Sequence, residues 1–173
     1  MPSLLNVTVR ASRPVLAAAA LLFLAGSSAQ AQRGASGPFA GLHGSWSGTG
    51  TIMLQNGGEE RIRCRATYAV GDDGASLRQN LRCASDSYTF DLSSNVVAQG
   101  GAITGTWSET TRGASGTVTG RATGAGDVQV RVDSPGFAAN LSMSTRGNRQ
   151  AVSISSSGTA LSGVSITLSR ASG

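Results

Sequence analysis

The chain has 173 residues, of which 24 are glycine, one is histidine and two are cysteine, with a formal charge of +5. That length suits one domain with a proper core. A single histidine, His43, leaves a metal site or a Ser-His pair little to build on. No apolar run is long enough to cross a membrane as a helix.

Residues 1–31 read as a cleavable export signal. Arg10 and Arg13 give a positive start, residues 15–25 are apolar, and Ala29-Gln30-Ala31 is an A-x-A cleavage site. Removal leaves 142 residues carrying +3, because both removed charges are arginines. All fourteen basic residues are arginine. Arginine suits bidentate contacts with phosphate or carboxylate, and a GC-rich genome also favours its codons. Signal and composition together point to a Gram-negative bacterium and to the periplasm.

Residues 32–40 lack periodicity and are expected to form a flexible lead-in, followed by a β domain over 41–173. Ten strands are predicted, at 42–54, 61–70, 75–83, 87–98, 102–110, 115–122, 126–132, 136–145, 149–156 and 162–170. Gly and Asn/Asp turns separate most of them. In the second hairpin, Asp73-Gly74 predicts a two-residue type I′ turn, which sets Cys64 directly opposite Cys83. Opposed residues have Cα atoms roughly 4.5–5.5 Å apart, close enough for a disulfide. In an exported chain a structural bridge is expected; a redox-active pair has no C-x-x-C to support it.

Alternation assigns the faces of this hairpin. Ile62, Cys64, Ala66, Tyr68, Val70, Leu77, Leu81 and Cys83 share one face, while Arg61, Arg63, Arg65, Arg78 and Arg82 share the other. The same rule gives inward rows at Val128, Val130 and Val132, at Phe137, Ala139, Leu141 and Met143, and at Val164, Ile166 and Leu168. Sequential hairpins with one apolar face per strand describe an antiparallel up-and-down meander of eight to ten strands. Such a meander does best by closing into a barrel, which removes its edges. A two-sheet sandwich would need longer crossovers. Small inward residues, Gly48, Gly50, Gly105, Gly120 and Ala122 among them, either leave a cavity or let strands bend at corners.

Gly44-Ser45-Trp46 on the first strand and Ser169-Arg170 on the last resemble the calycins, the superfamily of lipocalins, avidins and fatty-acid-binding proteins. The resemblance implies a barrel with Trp46 at its closed end and Arg170 packed across the indole, a cation–π contact of about 0.5–2 kcal/mol. Ile103-Thr104-Gly105-Thr106-Trp107 resembles a T-G-T-aromatic stretch of avidins. A three-residue first turn would also set Trp46 opposite Tyr68. No ligand-contacting set of either family can be matched.

The functional expectation is therefore non-catalytic binding of a small apolar or amphipathic ligand, with Trp46, Tyr68, Trp107, Leu141 and Met143 as cavity residues. No cofactor or metal is expected. Most carboxylates fall in turns or outward positions, so no acid–base pair is identifiable. The alternative is an envelope protein docking through Arg61, Arg63, Arg65, Arg78 and Arg82 on anionic lipid, lipopolysaccharide or polysaccharide. Opposed Arg65 and Arg82 repel unless something offsets them. A neighbouring carboxylate such as Asp91, expected opposite Asn80, or solvent screening could do so instead. Nucleic acid fits poorly, since no aromatic residues interleave with the arginines.

Overall fold

The computed structural model describes residues 36–124 and 126–171. The signal and residues 32–35 of the expected lead-in lie outside the described residues. Ten strands follow one another as β1 (Gly44–Leu54), β2 (Glu59–Val70), β3 (Ser76–Ala84), β4 (Thr89–Gln99) and β5 (Ala102–Glu109). Then come β6 (Ala114–Gly124), β7 (Asp127–Ser134), β8 (Phe137–Arg146), β9 (Arg149–Ser157) and β10 (Leu161–Arg170). Each strand pairs antiparallel with its sequence neighbours, and β1 pairs with β10 to close the barrel. The strict alternation of apolar and polar residues fixes this register, because a one-residue slip would turn every apolar row outward.

Cys64 lies opposite Cys83 and a disulfide joins them. The turn that sets this register differs from the expected one. Among the described residues none other than glycine has positive φ, so Asp73-Gly74 is not a type I′ pair. Instead Gly74 N–H donates to Gly71 O at 2.8 Å and Gly71 N–H to Ser76 O at 3.0 Å, making a four-residue loop in which only Gly74 is left-handed. A two-residue and a four-residue loop share the same centre, so the strand pairing is unchanged. Two other turns shift register. The first hairpin turns through residues 55–57, putting Trp46 opposite Ala66 and Gly44 opposite Tyr68. The β3–β4 turn puts Asp91 opposite Arg82 rather than Asn80. Both shifts are by two residues, so no side chain changes face.

Residues 36–40, expected as a flexible lead-in, are packed. Gly37 N–H donates to Asp73 O and Phe39 N–H to Gly74 O, while Phe39 and Leu42 are almost fully buried. This segment runs from the start of β1 across to the β2–β3 turn and covers one end of the barrel. Its docking is close because two glycines meet: a Cβ on Gly37 would lie 2.2 Å from Gly74 O.

The inward glycines are corners. A Cβ on Gly48 would fall 1.9 Å from Thr167 O, and one on Gly116 would fall 1.8 Å from Asp133 O. Gly50, Gly105 and Gly120 are equally tight against the neighbouring strand. These positions let a strand fold onto its neighbour instead of enlarging the interior. They bring β1 close to β10, β5 to β4 and β6 to β7, in a wall whose two halves are the arcs β1–β5 and β6–β10.

Candidate functional site

The covered end is the best-packed part of the barrel. Trp46 is buried, and its indole N–H donates to Leu42 O at 2.8 Å. The Arg170 guanidinium carbon sits 4.4 Å from the Trp46 ring centre, and its nitrogens donate to His43 O and Gly41 O. Tyr68 meets the same indole edge-on, with ring centres 6.3 Å apart. Across the interior, the Tyr68 hydroxyl donates to Gln150 Oε1 at 2.7 Å and Gln150 Nε2 donates to Thr145 Oγ1 at 3.2 Å. All three side chains are buried, and burial pushes the Tyr68 phenol up to about 12. This chain of hydrogen bonds ties β2 to β8 and β9 with no polar group left unpartnered.

Further along the barrel the two arcs diverge. From β2–β5, Ile62, Cys64, Ala66, Cys83, Ile103 and Trp107 are buried. From β7–β10, Val130, Val132, Leu141, Met143, Val152 and Ile154 share the inward parity but are only half-buried. Leu81 and Leu92 face them across the interior and are half-buried as well. One polar pair lies in this apolar wall, Ser94 donating to Gln79 Oε1 at 3.4 Å. The middle of the interior is therefore mainly apolar, with the Gln79 amide and Ser94 hydroxyl on one side and the Tyr68–Gln150–Thr145 chain towards the covered end, a pattern suited to a largely apolar ligand that carries polar groups.

The far rim is aromatic. Tyr88 stacks on Phe90 with ring centres 6.3 Å apart, Arg112 lies 4.7 Å above Phe90, and Phe137 packs edge-on against Trp107 at 5.6 Å. Beneath them Glu109 is 6% exposed, an inward carboxylate where sequence reasoning looked for carboxylates mainly in turns and on outer positions. Burial pushes its carboxyl up. The N–H groups of Asp91, Thr111 and Arg112 and the Thr111 hydroxyl outweigh that and hold it below the usual range. With every hydrogen-bond partner in the β5–β6 turn or on β4, and the Arg112 guanidinium 3.7 Å away, Glu109 fastens the rim. Its parity with Ile103 and Trp107 could have revealed its direction.

Of the five expected cavity residues, Trp46, Tyr68 and Trp107 belong to the packed region, and Leu141 and Met143 to the half-buried one. The five expected surface arginines are all exposed on the outer wall of β2 and β3. Arg82 pairs with Asp91 at 3.1 Å, and Arg78 donates to Asn95 Oδ1 at 3.1 Å. Two concavities, of about 580 and 410 Å³, lie on the outside of the other arc along rows of serine, threonine and asparagine. Among the described residues no three His, Cys, Asp or Glu side chains converge as a metal site. No helix among them is long and apolar enough to cross a membrane.

No family model matches the chain, and no curated protein does. Solved structures do. Rv2717c from M. tuberculosis superposes with a TM-score of 0.59 at 12% identity, covering 78% of this chain and 94% of its own. An S-type phycobiliprotein lyase, CPES, from Guillardia theta gives 0.55 at 14% identity over 78% and 91%. A DUF3598-family protein of unknown function from Nostoc punctiforme also gives 0.55 at 14%, and there the chain spans 48% of the other's length. The likeness shows the fold.

Proposed function

We propose that this protein binds a small apolar or amphipathic ligand inside its barrel, without catalysing its conversion, after export to the periplasm. The observation that carries this reading is the half-buried inward wall of Val130, Val132, Leu141, Met143, Val152 and Ile154. An apolar wall that water can reach is unfavourable when empty, by about 25 cal/mol per Å², and an apolar occupant relieves that cost. A phycobiliprotein lyase among the structural neighbours supports a ligand-holding barrel. Gly44-Ser45-Trp46 with Arg170 over the indole supports a calycin-type closed end, which would leave the aromatic rim as the entrance. Leu141 and Met143 remain ligand contacts in this reading. Trp46, 1% exposed, has no face left to offer and becomes part of the closure.

Titration with a fluorescent fatty-acid probe tests the proposal. Saturable binding with enhanced emission is expected, weakened at least about tenfold in Leu141→Trp and Val152→Trp, whose added bulk fills the lumen. Binding undiminished in both variants would place the probe elsewhere and overturn it. So would an unliganded crystal structure in which the side chains of the two arcs meet.

A further inference from the structure

The outer wall carries a feature that the lumen does not use. Arg61, Arg63 and Arg65 occupy successive outward positions of β2, and Arg78 and Arg82 occupy outward positions of β3 beside them. Arg65 stands directly opposite Arg82, a like-charge contact that is unfavourable in isolation. Among the described residues Arg61, Arg63 and Arg65 form no ion pair, and on β1 their neighbours are Thr51, Thr49 and Ser47. Elsewhere Arg131 and Arg146 are each matched with a carboxylate, Asp133 and Asp127. Arg149 stands opposite the paired Arg146, and Arg121 lies beside the paired Arg131. Five cationic side chains are thus gathered on β2 and β3, and of these Arg82 alone has a carboxylate partner, Asp91.

We propose that this arginine face docks on an anionic lipid surface. The shape of the patch selects the partner. Successive outward residues on a strand are about 6.8 Å apart and neighbouring strands about 4.8 Å apart, so the guanidiniums spread about 14 Å along β2 and sideways onto β3. That is an area matched to an array of head groups, rather than a single file matched to a polymer strand. The two concavities described above lie on the other arc, away from this patch. Met53 and Val97, the two exposed large hydrophobic residues among those described, lie on this same outer wall. Met53 is paired with Glu59, two positions from Arg61, and Val97 with Ser76, two positions from Arg78. Apolar side chains flanking a cationic patch can sink below the phosphate level while the arginines stay in it.

Co-sedimentation with vesicles of phosphatidylglycerol and phosphatidylcholine, against pure phosphatidylcholine, tests the proposal. Binding should require the anionic lipid and weaken with salt, since near-surface arginines each contribute about 1 kcal/mol at moderate ionic strength. Arg61, Arg63 and Arg65 changed together to Gln should lower the partition coefficient about 100-fold by the same scale. Arg121, Arg131 and Arg149 changed together to Gln remove equal charge from the other arc and should change it less than about fivefold. All variants are compared in the same form of the chain, so differences report the wall alone. Thermal unfolding confirms folding, and Arg63→Gln/Arg65→Gln serves if the triple variant does not fold. Equal losses in the two triple variants, or none in either, would overturn the proposal. Binding to soluble alginate as tight as to vesicles, and abolished by the β2 changes, would also overturn it and make the face a polymer site.

Discussion

Five strands, β1–β5, and five more, β6–β10, form the two arcs of one barrel with the same hydrogen-bonding scheme. In the first arc six large inward side chains are buried, Trp46, Ile52, Ile62, Tyr68, Ile103 and Trp107, with the Cys64–Cys83 bridge among them. In the second, most inward side chains of β7–β9 are half-buried, and the outer face is mainly serine, threonine and asparagine around its arginines. Closure alone satisfies the backbone of both arcs. The difference lies in burial: the first arc is closed over by the covering segment and by itself, whereas Val130, Val132, Met143 and Val152 of the second pack against the core with part of each side chain still open to solvent. Stability is therefore expected to reside in the first arc and recognition of a lumen ligand in the second.

Substitutions at equivalent depths break or sharpen that contrast. Trp46→Ala empties the packed end and uncovers Arg170, and should cost about 3–5 kcal/mol in denaturant unfolding. Replacing Cys64 and Cys83 together by Ser should lower stability by about 3 kcal/mol under oxidising conditions. Both losses test the first arc. Leu141→Ala, in the second, should cost only about 1–2 kcal/mol, because the side chain is already half in contact with water. A loss as large as that of Trp46→Ala would mean that both arcs are packed alike.

The pH dependence sharpens the rim. Glu109 has its carboxyl lowered in the folded state from an ordinary value of 4.5, so it stabilises the fold above that pH. The contribution is lost as pH falls through the lower, folded value. Glu109→Gln should therefore flatten the acid side of a stability-versus-pH curve and leave its slope above pH 6 unchanged. The smallest effect is expected at Arg131 and Asp133, an exposed pair 2.9 Å apart. Arg131→Gln should change stability by less than about 1 kcal/mol, and less still in high salt.

The arcs were not equally legible in the sequence. Strand facing could be read because Val128-x-Val130-x-Val132 and Arg61-x-Arg63-x-Arg65 alternate without interruption, while the number of strands in the barrel stayed between eight and ten. Cys64 and Cys83 were placed opposite each other correctly despite the wrong turn type, because the two loops share a centre. Where either of two adjacent glycines could take positive φ, as at Gly57 and Gly58, the register slipped by two. The covering segment was missed because Phe39 and Leu42 sit among Gly and Pro with no period to reveal them. The half-burial of Leu141 was beyond reach, since alternation gives direction and not depth.

The corner glycines have a further consequence for how this protein can vary. Gly48 and Gly116 carry no side chain that could touch a ligand, yet an added methyl would meet backbone at 1.9 and 1.8 Å. A survey of tolerated substitutions would therefore rank them among the least replaceable positions, while Leu141 or Val152 could change with the ligand. Intolerance here would map the outline of the barrel, and the residues that choose the cargo would be found among the variable ones.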